Sequence, residues 1–180
     1  CNANVVALDG ILDKDLGSVS TTANYTFITP SLCHDGHDSP CADGEPGGLA
    51  SINSFLQEWV PKIMASPAYQ QDGLLIITFD ESSGPQSDSS SCCLAATTLP
   101  PNTAMPGLTG KGGGVTGAVL LSPFIKPGTV STTSYDHYSM LRTVEDAFGL
   151  QYLGYAGDSA QASFGPDVFT QQMPVFPTKQ

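Results

Sequence analysis

The three histidines of this 180-residue sequence all stand beside carboxylates, in His34-Asp35-Gly36-His37-Asp38 and in Asp136-His137. Imidazoles and carboxylates together suit Zn, Fe or Mn, and an imidazole can also hold a phosphate oxygen. Gly36 lets the backbone turn tightly between the first cluster's side chains. A third polar group, Asp80-Glu81, ends the apolar run Leu74-Leu75-Ile76-Ile77-Thr78-Phe79. In open α/β sheets ligands bind at the carboxyl ends of strands, so two adjacent carboxylates there are a candidate cation site. Neighbouring strand side chains point to opposite faces; both acids reach one ion only if the chain turns after Phe79, which Ser82-Ser83-Gly84 allows. Each feature also has a bland explanation. Asp80-Glu81 can be a solvated loop start, the His-Asp loop a set of Asx-turns and surface histidines, and Asp136 a helix N-cap, which is the preferred reading of Asp136. The confinement of every histidine to two segments, each after a strand and turn, favours chemistry for His37 and His137.

Cys33 and Cys41 flank the His-Asp loop and are expected to close it as a disulfide, holding His37 more rigidly. Cys92-Cys93 lacks a second Cys or His pair at zinc spacing and reads as bridging to separate partners. Gly110-Lys111-Gly112-Gly113-Gly114 has the composition of a phosphate cradle without its arrangement and reads as a flexible loop.

These residues must be positioned by a few elements. Residues 25–29 are a short β-branched and aromatic run stopped by Pro30 and read as a strand. Residues 31–48 form a polar loop too long to be a mere connection. Apolar positions at Leu49, Ile52, Phe55, Leu56, Trp59, Ile63 and Met64 predict an amphipathic helix whose stripe faces a sheet, with Pro61 kinking it or starting a second segment. Residues 74–79 read as a strand covered on both faces in a parallel sheet. Residues 82–114 read as a long surface excursion, 115–122 as another strand, and Tyr138, Leu141, Val144 and Phe148 as one face of a second helix ending at Gly149. Strands separated by helices predict an α/β layered sandwich, with a mostly parallel central sheet flanked by helices, as one domain over residues 1–180.

Composition narrows the function classes. The formal charge is −11, and the basic residues Lys14, Lys62, Lys111, Lys126, Arg142 and Lys179 form no stripe, so no nucleic-acid partner is expected. No apolar run reaches the roughly 18 residues of a transmembrane segment. Only 13% of residues are charged, there are five cysteines, and Asn24-Tyr25-Thr26 is a glycosylation sequon with Asn24 as acceptor. Together these lean toward a secreted or extracytoplasmic setting, any signal peptide having been removed.

Four ordered motifs resemble a known family. They are Phe27-Ile28-Thr29-Pro30-Ser31-Leu32-Cys33 leading to Asp35-Gly36-His37-Asp38, then Trp59-Val60-Pro61-Lys62-Ile63, then Ile77-Thr78-Phe79-Asp80-Glu81, and finally His137 through Asp146. In order and spacing they resemble the C-terminal half of the phosphoesterases that include secreted acid phosphatases and nonspecific phospholipases C, in the alkaline phosphatase superfamily. The resemblance implies the C-terminal part of an alkaline-phosphatase-like fold. It implies metal-assisted phosphoryl transfer, with Asp80 and Glu81 ligating a divalent cation (Zn, Fe, Mn, Mg or Ca). It places His37 and His137 near the phosphate or a second metal, with Asp35 and Asp38 beside His37 as further candidate metal ligands. His34 has no clear counterpart. The expected substrate is a phosphate-ester small molecule or a lipid head group, cleaved as a monoester or a diester.

The family's early Glu-Asn metal pair and its Ser or Thr nucleophile have no match among these residues, so an N-terminal half or partner chain is expected to supply them. The competing reading is a noncatalytic cation-binding or structural module, or an inactive fragment, that keeps the fold.

Overall fold

The structure is a computed structural model that describes residues 4–82 and 114–170. Cys1, Cys92, Cys93 and nearly all of the 82–114 excursion lie outside those residues. Two compact units are present, Cys1–Gly73 and Leu74–Gln180.

In the first unit a single helical turn, α1 (Leu12–Asp15), precedes an irregular stretch that includes residues 25–29. The strand expected there does not form: Tyr25 and Phe27 are exposed, Phe27 at 73%. β-branched and aromatic composition favours a strand only where a neighbour completes the ladder, and among the described residues none does. The first long helix, α2 (Gly48–Ala65), covers the predicted span. Trp59 is buried, with Phe55 beside it at 6.4 Å between ring centroids, and the Lys62 ammonium caps the indole at 4.3 Å. Pro61 lies inside α2 and does not start a new segment. Its missing N–H removes the bond to the carbonyl of Gln57, but both residues are on the exposed side, where water can take that carbonyl. Leu49, expected on the apolar stripe, is 80% exposed. The break comes at Ser66, whose hydroxyl accepts the Tyr69 N–H at 3.3 Å and caps α3 (Pro67–Asp72).

In the second unit β1 (Leu75–Thr78) and β2 (Ala118–Leu121) pair antiparallel, Leu75 opposite Leu121 and Thr78 opposite Ala118. Among the described residues the sheet is this two-stranded antiparallel one, and the mostly parallel sheet expected is not seen. Nor is β1 covered on both faces, since all four of its residues are only half-buried; an apolar run also says nothing of the direction of its neighbour, and the long chain between β1 and β2 permits either one.

The second unit's helix, α4 (His137–Phe148), has both ends written in the sequence. Asp136 and Ser139 form a reciprocal capping box, and Gly149, at φ 63° and ψ 36°, ends the helix in the left-handed region. The Leu150 N–H then reaches the Glu145 carbonyl at 2.8 Å and the Gly149 N–H that of Asp146, the paired bonds of a Schellman ending.

The face that α4 buries is more polar than its apolar spacing predicts. Tyr138, Leu141, Val144 and Phe148 are only half-buried, whereas Ser139, Thr143, Glu145 and Ala147 are buried. Each of these buried polar side chains makes at least one hydrogen bond, although the second Glu145 oxygen is buried without one. The Thr143 hydroxyl donates to the Ser139 carbonyl and accepts the Phe164 N–H at 2.8 Å, and a Glu145 oxygen accepts the Leu153 N–H at 2.9 Å. The irregular segment after Gly149 thereby becomes the helix's cover, with Ala156, Gln161, Val168 and Phe169 buried. Arg142 fastens it further by donating to the carbonyls of Ala156 and Asp158, both at 2.9 Å.

Candidate functional site

The His-Asp loop of the first unit is built by local bonds. The His34 and Asp35 amides donate to the Ser31 carbonyl at 2.7 and 2.9 Å, and the Asp38 amide returns to the Leu32 carbonyl at 2.9 Å. The Asp35 carboxylate accepts the His37 N–H at 2.8 Å, an Asx-turn that Gly36 permits with φ 101°. The Cys33–Cys41 disulfide is present. Two close approaches dock the loop on the start of α2. The Gly48 N–H donates to the Asp38 carbonyl at 2.8 Å, and Gly47 packs so tightly that an added Cβ would lie 2.0 Å from the same oxygen.

His37 stands at the exposed tip, its side chain 72% accessible, with Nδ1 2.9 Å from an Asp38 carboxylate oxygen. A carboxylate accepts, so Nδ1 carries the proton and Nε2 faces outward. The hydrogen bond to Asp38, then that residue's negative charge and that of Asp35, raise the His37 pKa above its ordinary 6.5. The sign follows from linkage: the raised pKa contributes stability that is full below the unfolded value and lost as pH rises through the folded one. Asp38→Asn is expected to bring the His37 pKa back down, as read from the NMR titration of the ring Cε1 proton. An unchanged titration would remove Asp38 as the cause. Asp35 and Asp38, the candidate metal ligands of this loop, thus also brace and charge His37.

In the second unit Asp80 and Glu81 follow β1 after Phe79, and both are exposed. One Asp80 carboxylate oxygen accepts the Glu81 N–H at 3.1 Å. His137, the first residue of α4, reaches back across 57 positions, and its Nε2 lies 2.7 Å from the Asp80 backbone carbonyl. A carbonyl only accepts, so Nε2 carries the proton and the neutral ring's acceptor is Nδ1. The backbone leading into α4 is braced by Tyr135, whose hydroxyl donates to Asp167 at 2.8 Å and accepts the Gly165 N–H at 2.9 Å. Ser131 also donates to Asp167, and these hydroxyl bonds hold that carboxyl below its ordinary pKa. Beneath His137, Asp136 is the cap predicted, and buried Gln161 donates to its carboxylate at 2.6 Å.

The donor types at Asp80, Glu81 and His137 suit a divalent cation: two hard carboxylates and one imidazole nitrogen. Among the described residues, however, the trios of His, Cys, Asp or Glu whose ligand atoms lie within 4.8 Å of one another are Cys33-His34-Glu45 and Cys33-Cys41-Asp43. Glu45, Gln161 and the Tyr135–Asp167 brace escaped sequence reasoning. Glu45 had a faint signal, as an acid just past the second cysteine; Gln161 acts from 25 residues away in an aperiodic segment and had none. Asn24 is exposed, and none of the described helices is long and apolar enough to cross a membrane.

The family model described as Phosphoesterase family matches residues 20–151. A curated protein of Kluyveromyces lactis named probable acid phosphatase is 28% identical over 138 residues, which is 75% of this chain and 25% of that protein. The chain therefore spans about a quarter of the length of the relative it matches. No solved structure matches the chain.

Proposed function

This chain belongs to the Phosphoesterase family, and on that premise we propose that it serves the hydrolysis of phosphate esters, as a metal-dependent phosphoesterase of the acid phosphatase or phospholipase C type. The observation that carries the reading is the anchoring of His137 on the backbone of Asp80, at 2.7 Å, beside two adjacent carboxylates. It couples the one histidine of the second unit to its exposed acidic pair.

Asp80 and Glu81 are the proposed cation ligands, and a divalent ion held there would offset the charge of the phosphoryl oxygens. His137, with Nε2 engaged, would offer Nδ1. His37 is proposed to hold a phosphoryl oxygen or to protonate the leaving oxygen, a role favoured by the raised pKa that keeps its ring charged to higher pH than a free imidazole. Residues 1–180 are read as part of one phosphoesterase domain. Its nucleophile and remaining ligands are assigned to an N-terminal segment or a partner chain. The substrate is a small phosphate ester or a lipid head group, and a charge of −11 disfavours tight docking on anionic membranes. The disulfide supports a secreted or extracytoplasmic setting.

The test is hydrolysis of p-nitrophenyl phosphate from acid to neutral pH, with and without EDTA, by this chain together with the N-terminal segment or partner chain assigned to complete it. Turnover that EDTA removes and a divalent ion restores is the expected result. EDTA-resistant turnover would overturn the metal dependence. A complete lack of turnover would favour a noncatalytic structural module or an inactive fragment, a reading supported by the ligand atoms of Asp80, Glu81 and His137 not converging within 4.8 Å of one another.

A further inference from the structure

We propose that the disulfide-closed loop is a thiol-gated zinc site: on reduction of the Cys33–Cys41 bridge, Cys33, Cys41, His34 and Glu45 bind one Zn²⁺. This inference does not rest on the phosphoesterase reading, which uses neither His34 nor Glu45.

The spacing of the donors carries it. The His34 Nε2 lies 3.6 Å from a Glu45 carboxylate oxygen, and the Cys33 sulphur lies 3.6 Å from the same oxygen. The first separation is too long for a good hydrogen bond. The second cannot be a hydrogen bond at all, because a disulfide sulphur has no proton to give. Both match the separation of two donors on one tetrahedral zinc, where Zn–S of about 2.3 Å and Zn–N or Zn–O of about 2.0–2.2 Å put neighbouring donor atoms roughly 3.3–3.8 Å apart. The ligand atoms of Cys33, His34 and Glu45 fall within 4.8 Å of one another, and Cys41 joins the set through Cys33, with which it forms a second such trio together with Asp43.

The surroundings orient the set. The Ser31 hydroxyl meets His34 Nδ1 at 2.9 Å, leaving Nε2 turned toward Glu45. Such an outer partner on the second ring nitrogen is what fixes a metal-ligating histidine. The Phe55 ring stands 6.1 Å from the imidazole, and Cys41 is buried, so the thiol side of the site is sheltered from water.

In the disulfide both sulphurs are spent on each other and the donor set is incomplete. A thiol or dithiol reductant breaks the S–S bond, giving two electrons and two protons to Cys33 and Cys41 while its own sulphurs join as a disulfide. Zinc then displaces the two thiol protons and takes the thiolates, with His34 and Glu45 completing a two-sulphur, one-nitrogen, one-oxygen set.

The experiment uses the 180-residue chain carrying Cys1→Ser, Cys92→Ser and Cys93→Ser, so that only the loop thiols remain, with Co²⁺ as the probe. A phosphine is the laboratory reductant, since it is oxidised to its oxide and leaves no competing thiol. The expected result is one equivalent of Co²⁺ per chain, with a thiolate-to-cobalt charge-transfer band and tetrahedral d–d bands that appear only after reduction and vanish when Zn²⁺ is added. His34→Ala and Glu45→Ala should each weaken binding at least about tenfold. No band in the reduced chain would overturn the proposal, and so would a band that neither variant weakens, which would mean the two thiols act alone. Fluorescence of buried Trp59 reports on folding of the reduced chain. A reduced chain that unfolds and does not regain its native signal with Zn²⁺ would also overturn it.

Discussion

Asp80→Ala is expected to lower kcat/KM for p-nitrophenyl phosphate on the order of 10³-fold while leaving the fold intact, measured on whichever assembly turns the ester over. The two halves of this expectation have separate causes. The carboxylate is the proposed cation ligand, so its loss removes charge stabilisation that matters most in the transition state. The backbone carbonyl that anchors His137 survives the substitution, and among the described residues the side chain's hydrogen bond is to the neighbouring Glu81 amide. Circular dichroism should therefore be unchanged. An undiminished rate would remove Asp80 from the cation site. A lost fold would show instead that this exposed residue is structural, and the activity loss would then say nothing of metal.

The second large effect falls on Gly47, at φ 65° and ψ −163°, a region of backbone space that is essentially glycine's alone. An alanine Cβ there would stand 2.0 Å from the Asp38 carbonyl oxygen and 2.8 Å from its carbon. Neither is the movable end of a side chain; the backbone that bears His37 would have to withdraw. Strain and overpacking together put the cost of Gly47→Ala at about 4 kcal/mol. Urea unfolding followed by Trp59 fluorescence would measure it. Gly44→Ala is the control, because Gly44 also has positive φ, 92°, but open space around its absent Cβ. Equal costs at the two positions would mean that strain alone acts and that the close approach to Asp38 is not a constraint.

What could be read from the sequence is what neighbouring residues decide among themselves. The ends of α4 were legible because a capping box and a terminal glycine are bonds between residues one turn apart. So were α2, from its apolar spacing, and the Cys33–Cys41 closure. The strand at residues 25–29 and the parallel sheet were not, because pairing depends on partners far along the chain, and apolar or β-branched composition is silent about their identity and direction. In the candidate site, the identities of His37, Asp80, Glu81 and His137 were visible, but their couplings were not. The bond from His37 to its neighbour Asp38 is local, but nothing local says that His137 will find a carbonyl 57 residues upstream. The polar character of the buried face of α4 was hidden for the same reason: Ser139 and Thr143 read as surface residues until Gln161 and Phe164 are folded over them.

That buried face bears on how the molecule can change over evolutionary time. An apolar interior accepts many exchanges of similar volume, because dispersion has no direction. An interior held by Thr143, Ser139, Glu145 and Gln161 depends on specific donor and acceptor pairs, although one Glu145 oxygen and the Gln161 amide oxygen are buried without a partner, and a lone substitution strands the group it was bonded to. Such positions drift only in compensated pairs. In this chain the helix that begins with His137 is therefore expected to be inherited together with the irregular segment that covers it.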